Sequence, residues 1–135
     1  MNTEKIARKM LQEDAFSRWL GIEILECSQG YCKVGMTIRE EMLNGMKKAH
    51  GGITFSLADS CFAFTTNGHG KLAVSIEASI NHIQALEAGD YITAETLLDN
   101  PINKLGFSVV KVKKQEELVA LFKGVVYRTQ KNWEL

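Results

Sequence analysis

The chain has 135 residues, 45 % of them hydrophobic and 24 % charged, and its 16 basic and 16 acidic residues cancel to zero formal net charge. That length fits one domain over residues 1–135, long enough to bury about two thirds of its unfolded surface. The charge balance argues against nucleic acid as a partner, which calls for a basic excess or stripe; the short run from Lys111 to Lys114 is broken by Val112 and followed by Glu116 and Glu117.

Residues Thr3 to Gln12 carry Ile6, Met10 and Leu11 at helical spacing and predict a short amphipathic helix. Gly21 to Ser28, rich in Ile and Leu, predicts a strand that ends at a Gln29-Gly30 turn. In the next segment Cys32, Val34, Met36 and Ile38 alternate with Tyr31, Lys33, Gly35 and Thr37, the period of a second strand. A polar loop containing Asn44-Gly45 follows. The segment from His50 to Gly70 opens on His50-Gly51-Gly52 and closes on Asn67-Gly68-His69-Gly70. Inside it Ile53, Leu57, Cys61 and Phe64 recur at steps of three and four, while Phe55, Ala58 and Phe62 fill another face. A helix that is apolar nearly all round is a buried helix, and the glycine and asparagine at its end suit a C-terminal cap.

Four further strands are predicted over Leu72–Ile83, Asp90–Leu98, Gly106–Lys113 and Leu118–Gln130. Asp99-Asn100-Pro101 predicts a turn after the second of these, and Gln115-Glu116-Glu117 a hairpin before the last. The last strand is mostly apolar on both faces from Val119 to Val126, which places it inside a sheet. The order of elements predicts an α+β fold: a long antiparallel sheet wrapped around one central helix.

No segment approaches the roughly 18 apolar residues of a membrane span, and Met-Asn-Thr-Glu-Lys at the start has no apolar signal core. The cysteines, Cys27, Cys32 and Cys61, are odd in number and scattered, so a cytoplasmic protein with free thiols is expected. Cys27 and Cys32 are nonetheless spaced to face each other across a hairpin. His50, His69 and His82 lack ligand spacing, and no metal is expected.

Asp59 stands out as the one charged residue between Gly51 and Gly68. An unpaired carboxylate in an apolar setting is costly, so such an acid is partnered or functional; the alternative is an exposed strip shared with Ser56 and Thr66. The helix start is the second candidate. Its first amides have no intrahelical partner and carry partial positive charge, and Gly51 and Gly52 leave them unobstructed. They can receive an anion or a developing oxyanion, or simply form a tight loop entry. Gly51 and Asp59 are eight residues apart, about 12 Å along a helix axis. If both act on one carbonyl they must come from two antiparallel copies of the helix, as a twofold dimer would supply.

The pattern Asn44-x5-His50-Gly51-Gly52-x4-Leu57-Ala58-Asp59 resembles the motif of hotdog thioesterases of the phenylacetate-degradation (PaaI) type, within the 4-hydroxybenzoyl-CoA thioesterase superfamily. The likeness runs from about Phe16 to Thr129 and includes Glu87-Ala88-Gly89-Asp90 and Leu121-Phe122-Lys123-Gly124. It implies a hotdog fold, a homodimer or dimer of dimers, and hydrolysis of an acyl-CoA with an aryl or medium-chain acyl group, with no cofactor. By the same resemblance Asp59 activates water or attacks the thioester, and Gly51 N–H polarises the thioester carbonyl. Asn44 assists at that carbonyl, His50 shapes the loop, and Ser75 helps hold the attacking water. Gly52 belongs to the same substrate-binding turn, and the acyl pocket lies between subunits, lined by Phe62 and Phe64. Gln84-Ala85 departs from the Arg-Pro common in relatives. Lys104 and Lys123 stand where relatives often have arginine and are candidates for the coenzyme A phosphates, which lysine meets as a point charge. Two alternatives share the fold: a hydroxyacyl thioester dehydratase, for which His50 would be the base, and a non-catalytic acyl-CoA sensor. Asp59 argues against both.

Overall fold

Six antiparallel strands form one sheet against a 17-residue helix in the computed structural model, which describes residues 2–135. The chain runs α1 (Thr3–Glu13), α2 (Ala15–Leu20), β1 (Glu23–Ser28), β2 (Tyr31–Thr37), a 3-10 turn (Glu40–Met42), α3 (Gly51–Asn67), β3 (Lys71–His82), β4 (Tyr91–Ile102), β5 (Leu105–Lys114) and β6 (Glu117–Asn132). The strand order is β1-β2-β4-β5-β6-β3. This is the predicted sheet around one helix, and β6 lies inside it, between β5 and β3.

The core forms where α3 meets the inner sheet face. Leu57, Ala58, Cys61, Phe62 and Phe64 of α3 are buried with Val34, Met36, Ile92, Ala94, Val110, Val112 and Phe122 of the sheet. Full burial of each large side chain contributes about 1.5–3 kcal/mol. Polar contacts pin the helix as well. Thr65 Oγ1 lies 2.8 Å from Thr96 Oγ1, which accepts from Cys32 N–H at 3.0 Å. Asn67 Oδ1 accepts from Ala73 N–H and Trp133 Nε1–H, both at 2.8 Å, and Thr3 Oγ1 donates to Gly68 O at 2.9 Å.

Three predicted boundaries are corrected. Residues 15–20 form α2, which was not expected. Asp14 caps it, accepting from Ser17 N–H at 2.9 Å, and Gly21 ends it in the left-handed conformation (φ 79°). Gly21 therefore belongs to a helix cap, and β1 begins at Glu23. Asp99-Asn100-Pro101 does not turn: β4 continues to Ile102, and the chain reverses at Asn103-Lys104, with Asn103 at φ 53°. Proline is tolerated there because it sits one rung from the strand end, opposite Gly106.

β3 has β6 on one side and an open edge on the other. Val74 and Ile76 on this strand are 46 % and 58 % exposed. A register shift between Ser75 and Glu77 makes Ile76 a bulge and breaks the simple alternation.

Candidate active site

The start of α3 is held by a loop that leaves the Gly51 amide free. His50 is the N-cap, and its Nδ1 accepts from Gly52 N–H at 3.0 Å. Ile53 N–H donates to His50 O at 2.9 Å, and His50 N–H to Met42 O at 2.8 Å. Among the described residues Gly51 N–H has no acceptor. Gly52 thus contributes bare backbone whose amide is taken by His50.

Asn44 stands across the loop. Its Oδ1 accepts from Met46 N–H (2.9 Å) and Lys48 N–H (3.2 Å), an Asx turn that fixes the amide orientation. The side-chain NH2 is then the group Asn44 can offer a ligand. A Leu43–Ala49 bridge and the Ala49 N–H to Leu86 O bond at 2.8 Å close the loop. Between loop and sheet lies a cavity of about 330 Å³ bordered by Asn44, Lys48, Gly51, Thr54, His82 and Leu86. His82 was not anticipated as a site residue. Its Nε2 would lie 3.0 Å from a β-carbon on Gly51, so it forms the cavity wall against that residue. Its only signal in the sequence is a place at the end of a predicted strand.

Asp59 does not line this cavity. From Ile53 to Asn67 only Phe55, Ser56, Asp59 and Ala63 escape full burial. At steps of three and four they form a single stripe along α3, with Asp59 in its middle; Thr66, grouped with it above, is buried. Burial raises the Asp59 carboxyl above its ordinary pKa, and the nearby Asp14 carboxylate raises it further. No hydrogen bond or cation acts to lower it. Asp59 is therefore a more basic carboxylate than usual, held next to α2 by the 2.8 Å contact of Ser17 Oγ with Ser60 Oγ.

Ser75 pairs with the buried Val126, so it lies on the helix side of the sheet, before the bulge. Phe62, expected in the acyl pocket, is 1 % exposed. It packs on Phe122 with centroids 5.4 Å apart, over Gly124, and Phe64 is buried too. Both are core residues; the aromatic on the open stripe is Phe55. Phe16 (53 % exposed) and Trp19 (45 %) stack on each other on α2. Lys104 and Lys123 are separated. Lys104 lies at the β4–β5 turn beside Lys71 and Arg128, and Lys123 on the outer sheet face beside Glu77 and Phe107. Among the described residues no three His, Cys, Asp or Glu side chains are grouped to hold a metal.

Residues 46–120 match the family model described as the thioesterase superfamily. A relative from Archaeoglobus fulgidus is 40 % identical over 131 residues, covering 96 % of this chain and 85 % of that protein. The acyl-coenzyme A thioesterase PaaI of Escherichia coli is 37 % identical over 123 residues, covering 90 % of this chain and 88 % of that one. The solved structure of the E. coli PaaI protein from the phenylacetic acid degradation operon superposes with a TM-score of 0.93 at 33 % identity, covering 97 % of this chain and 96 % of the other. A family model over more than half of the chain, with relatives this similar along nearly all of it, means that the chain belongs to the thioesterase superfamily and is a thioester hydrolase of the hotdog fold.

Proposed function

We propose that the protein hydrolyses acyl-CoA thioesters, with an aryl or medium-chain acyl group, at a site shared by two subunits and without a cofactor. The observation that carries this reading is the unclaimed amide at the α3 start, Gly51 N–H, beside a cavity that Asn44 also borders. The thioester oxygen sits where Gly51 N–H and the Asn44 NH2 donate to it, and both bonds strengthen as negative charge grows. Asp59 of the second subunit removes a proton from water as the water oxygen attacks the thioester carbon. The carbon–sulfur bond then breaks, the thiolate of coenzyme A leaves and takes up a proton, and the free acid remains. Ser75 of the second subunit, on the helix side of the sheet, helps hold the water.

The shared site is supported by distance and by what is left uncovered. Gly51 and Asp59 lie about 12 Å apart along α3. The α3 stripe around Asp59 and the open edge of β3 are left uncovered in one chain, and a twofold partner would cover both. Exposed Leu98 and Phe107 on the outer sheet face offer a second apolar surface for a dimer of dimers. The three cysteines are free thiols, which fits a cytoplasmic location. Phe55 on the stripe suits an aromatic or chain-like acyl group.

The test is thiol release from a panel of aryl and aliphatic acyl-CoAs, with Asp59→Asn and Gly51→Ala each assayed alone and mixed. Activity in the mixed dimer, where one site of each pair is intact, supports the shared site. Release by the wild type with no recovery on mixing sinks the shared site. No release from any thioester sinks the hydrolase reading and favours a dehydratase or a sensor.

A further inference from the structure

The β1–β2 hairpin brings two cysteines together at the sheet edge opposite β3. Its turn is Gln29-Gly30, with Gly30 at φ 80°, so Ser28 and Tyr31 form the first rung and Cys27 and Cys32 the second. Cys32 N–H donates to Thr96 Oγ1 of β4 at 3.0 Å, and Cys32 O accepts from Cys61 Sγ of α3 at 3.4 Å. The Cys32 backbone therefore turns away from β1. Its pair with Cys27 is the closely spaced, non-hydrogen-bonded kind, in which Cα atoms stand about 4.5 Å apart. A disulfide spans Cα separations of about 4.4–6.8 Å. The two side chains meet, with their Sγ atoms 2.6 Å apart.

The two thiols are not equivalent. Cys32 is fully buried, whereas Cys27 is half-buried and borders a cavity of about 470 Å³ between α1 and the hairpin turn, with Thr3, Glu4, Lys5 and Gln29. The hydrogen bond with Cys32 lowers the Cys27 thiol below its ordinary value, against burial, and raises that of Cys32. Cys27 is thus the thiol that ionises first. The third cysteine, Cys61, is buried, and burial pushes its thiol up to about 12.

A thiol at an opening, with a second thiol in contact behind it, has the arrangement that thiol–disulfide exchange requires. We propose that Cys27 and Cys32 form a dithiol site that exchanges with small-molecule disulfides, Cys27 attacking and Cys32 resolving. The Cys27 thiolate attacks one sulfur of the disulfide, the sulfur–sulfur bond breaks, and the first small thiol leaves with the proton that Cys27 gave up. Cys27 is then a mixed disulfide. Cys32 loses its proton and attacks Cys27 Sγ, and the second small thiol leaves with that proton. The two cysteines end oxidised as one disulfide, and the small molecule ends reduced as two thiols. The site lies at the edge away from β3, so a dimer paired through β3 leaves its cavity open.

The experiment treats the fully reduced protein with an excess of oxidised glutathione and follows intact mass, released glutathione and a peptide map over time. The site predicts that the wild type passes through a glutathione adduct on Cys27, then loses it and carries a Cys27–Cys32 link, with two glutathiones released per chain. Cys32→Ala should stop at the adduct on Cys27, with one glutathione released. Cys27→Ser should not react, and Cys61→Ala should behave as the wild type does. The order of products in the wild type decides the matter even where a variant does not fold. A wild type that stays reduced, or one that ends as a lasting glutathione adduct with Cys32 still a thiol, overturns the proposal. An adduct that forms first on Cys32 or Cys61 overturns it as well.

Discussion

His82 stands directly against Gly51: a β-carbon on that glycine would come within 3.0 Å of the imidazole Nε2. The helix start is thus open to a ligand only while residue 51 has no side chain. Alanine there keeps the N–H and favours the helix by propensity, so its effect falls on approach to the amide. Gly51→Ala is expected to lower kcat/KM at least tenfold with no loss of thermal stability. Gly51→Ala/His82→Ala, which clears the contact, should recover part of that loss. A double-mutant cycle on kcat/KM reads the coupling, and additive effects would separate the two residues.

Asp59→Asn keeps the size of the side chain and removes the base. A positioned base contributes about 10²–10⁴-fold, and kcat should fall on that scale. Stability should move the other way. The folded pKa of Asp59 lies above its unfolded value of 3.8, so the native state holds the proton more tightly there. Stability contributed by this group is present below pH 3.8 and is lost as pH rises towards the folded pKa. At neutral pH the ionised carboxylate is a burden, and Asp59→Asn should unfold at an equal or higher denaturant concentration than wild type.

The acid limb of the pH profile gives a separate reading. The kcat/KM midpoint for Asp59 should lie above 3.8, because burial and then Asp14 raise it. Asp14→Asn should move that midpoint down by removing the like charge. Asparagine caps a helix as well as aspartate does, so α2 should survive the change. An unmoved midpoint would mean that the carboxyl titrating in the profile is not Asp59.

Gly124 is the place where β6 passes under a core ring. A β-carbon there would lie 2.6 to 2.9 Å from three atoms of the Phe62 ring. Overpacking of this kind costs about 1–3 kcal/mol, so Gly124→Ala should shift the denaturation midpoint down accordingly. Phe62→Leu in the same chain should return part of it.

Asn67 closes the far end of α3. Asn67→Ala removes the acceptor of Ala73 N–H and of Trp133 Nε1–H and leaves the first buried. An unsatisfied buried donor costs about 1–3 kcal/mol. Lower stability and an altered Trp133 emission should appear together, since one side chain holds both groups.

Much of this architecture can be read from the residues because the main signals are long. α3 shows as an apolar run between two glycine-rich ends, and β2 as strict alternation from Tyr31. The short helix α2 could not be read that way: six residues give too few turns for a period, and Phe16 and Trp19 point outwards. Pro101 misled because a turn signal looks the same one rung inside a strand end. For the site, the neighbourhood of Asn44, His50 and Gly51 follows from sequence nearness. His82 comes from a strand, 31 residues beyond Gly51, and carries no local mark. Phe62 was misplaced for a related reason: a helix apolar on every side gives no cue to which aromatic meets the sheet.

That same uniformity has a consequence for how α3 is oriented. A rod coated evenly with apolar groups would roll on the sheet with little change in buried area. What stops the roll is the set of polar links at Ser60, Thr65, Asn67 and Gly68, each directed to a different neighbour: α2, β4, β3 and α1. They act as an index mark, and the angle they select puts Asp59 on the uncovered stripe. A single step of 100° would carry the carboxylate into the core. Oil-like contacts give α3 its burial, and three small polar side chains and one backbone carbonyl decide which way its acid faces.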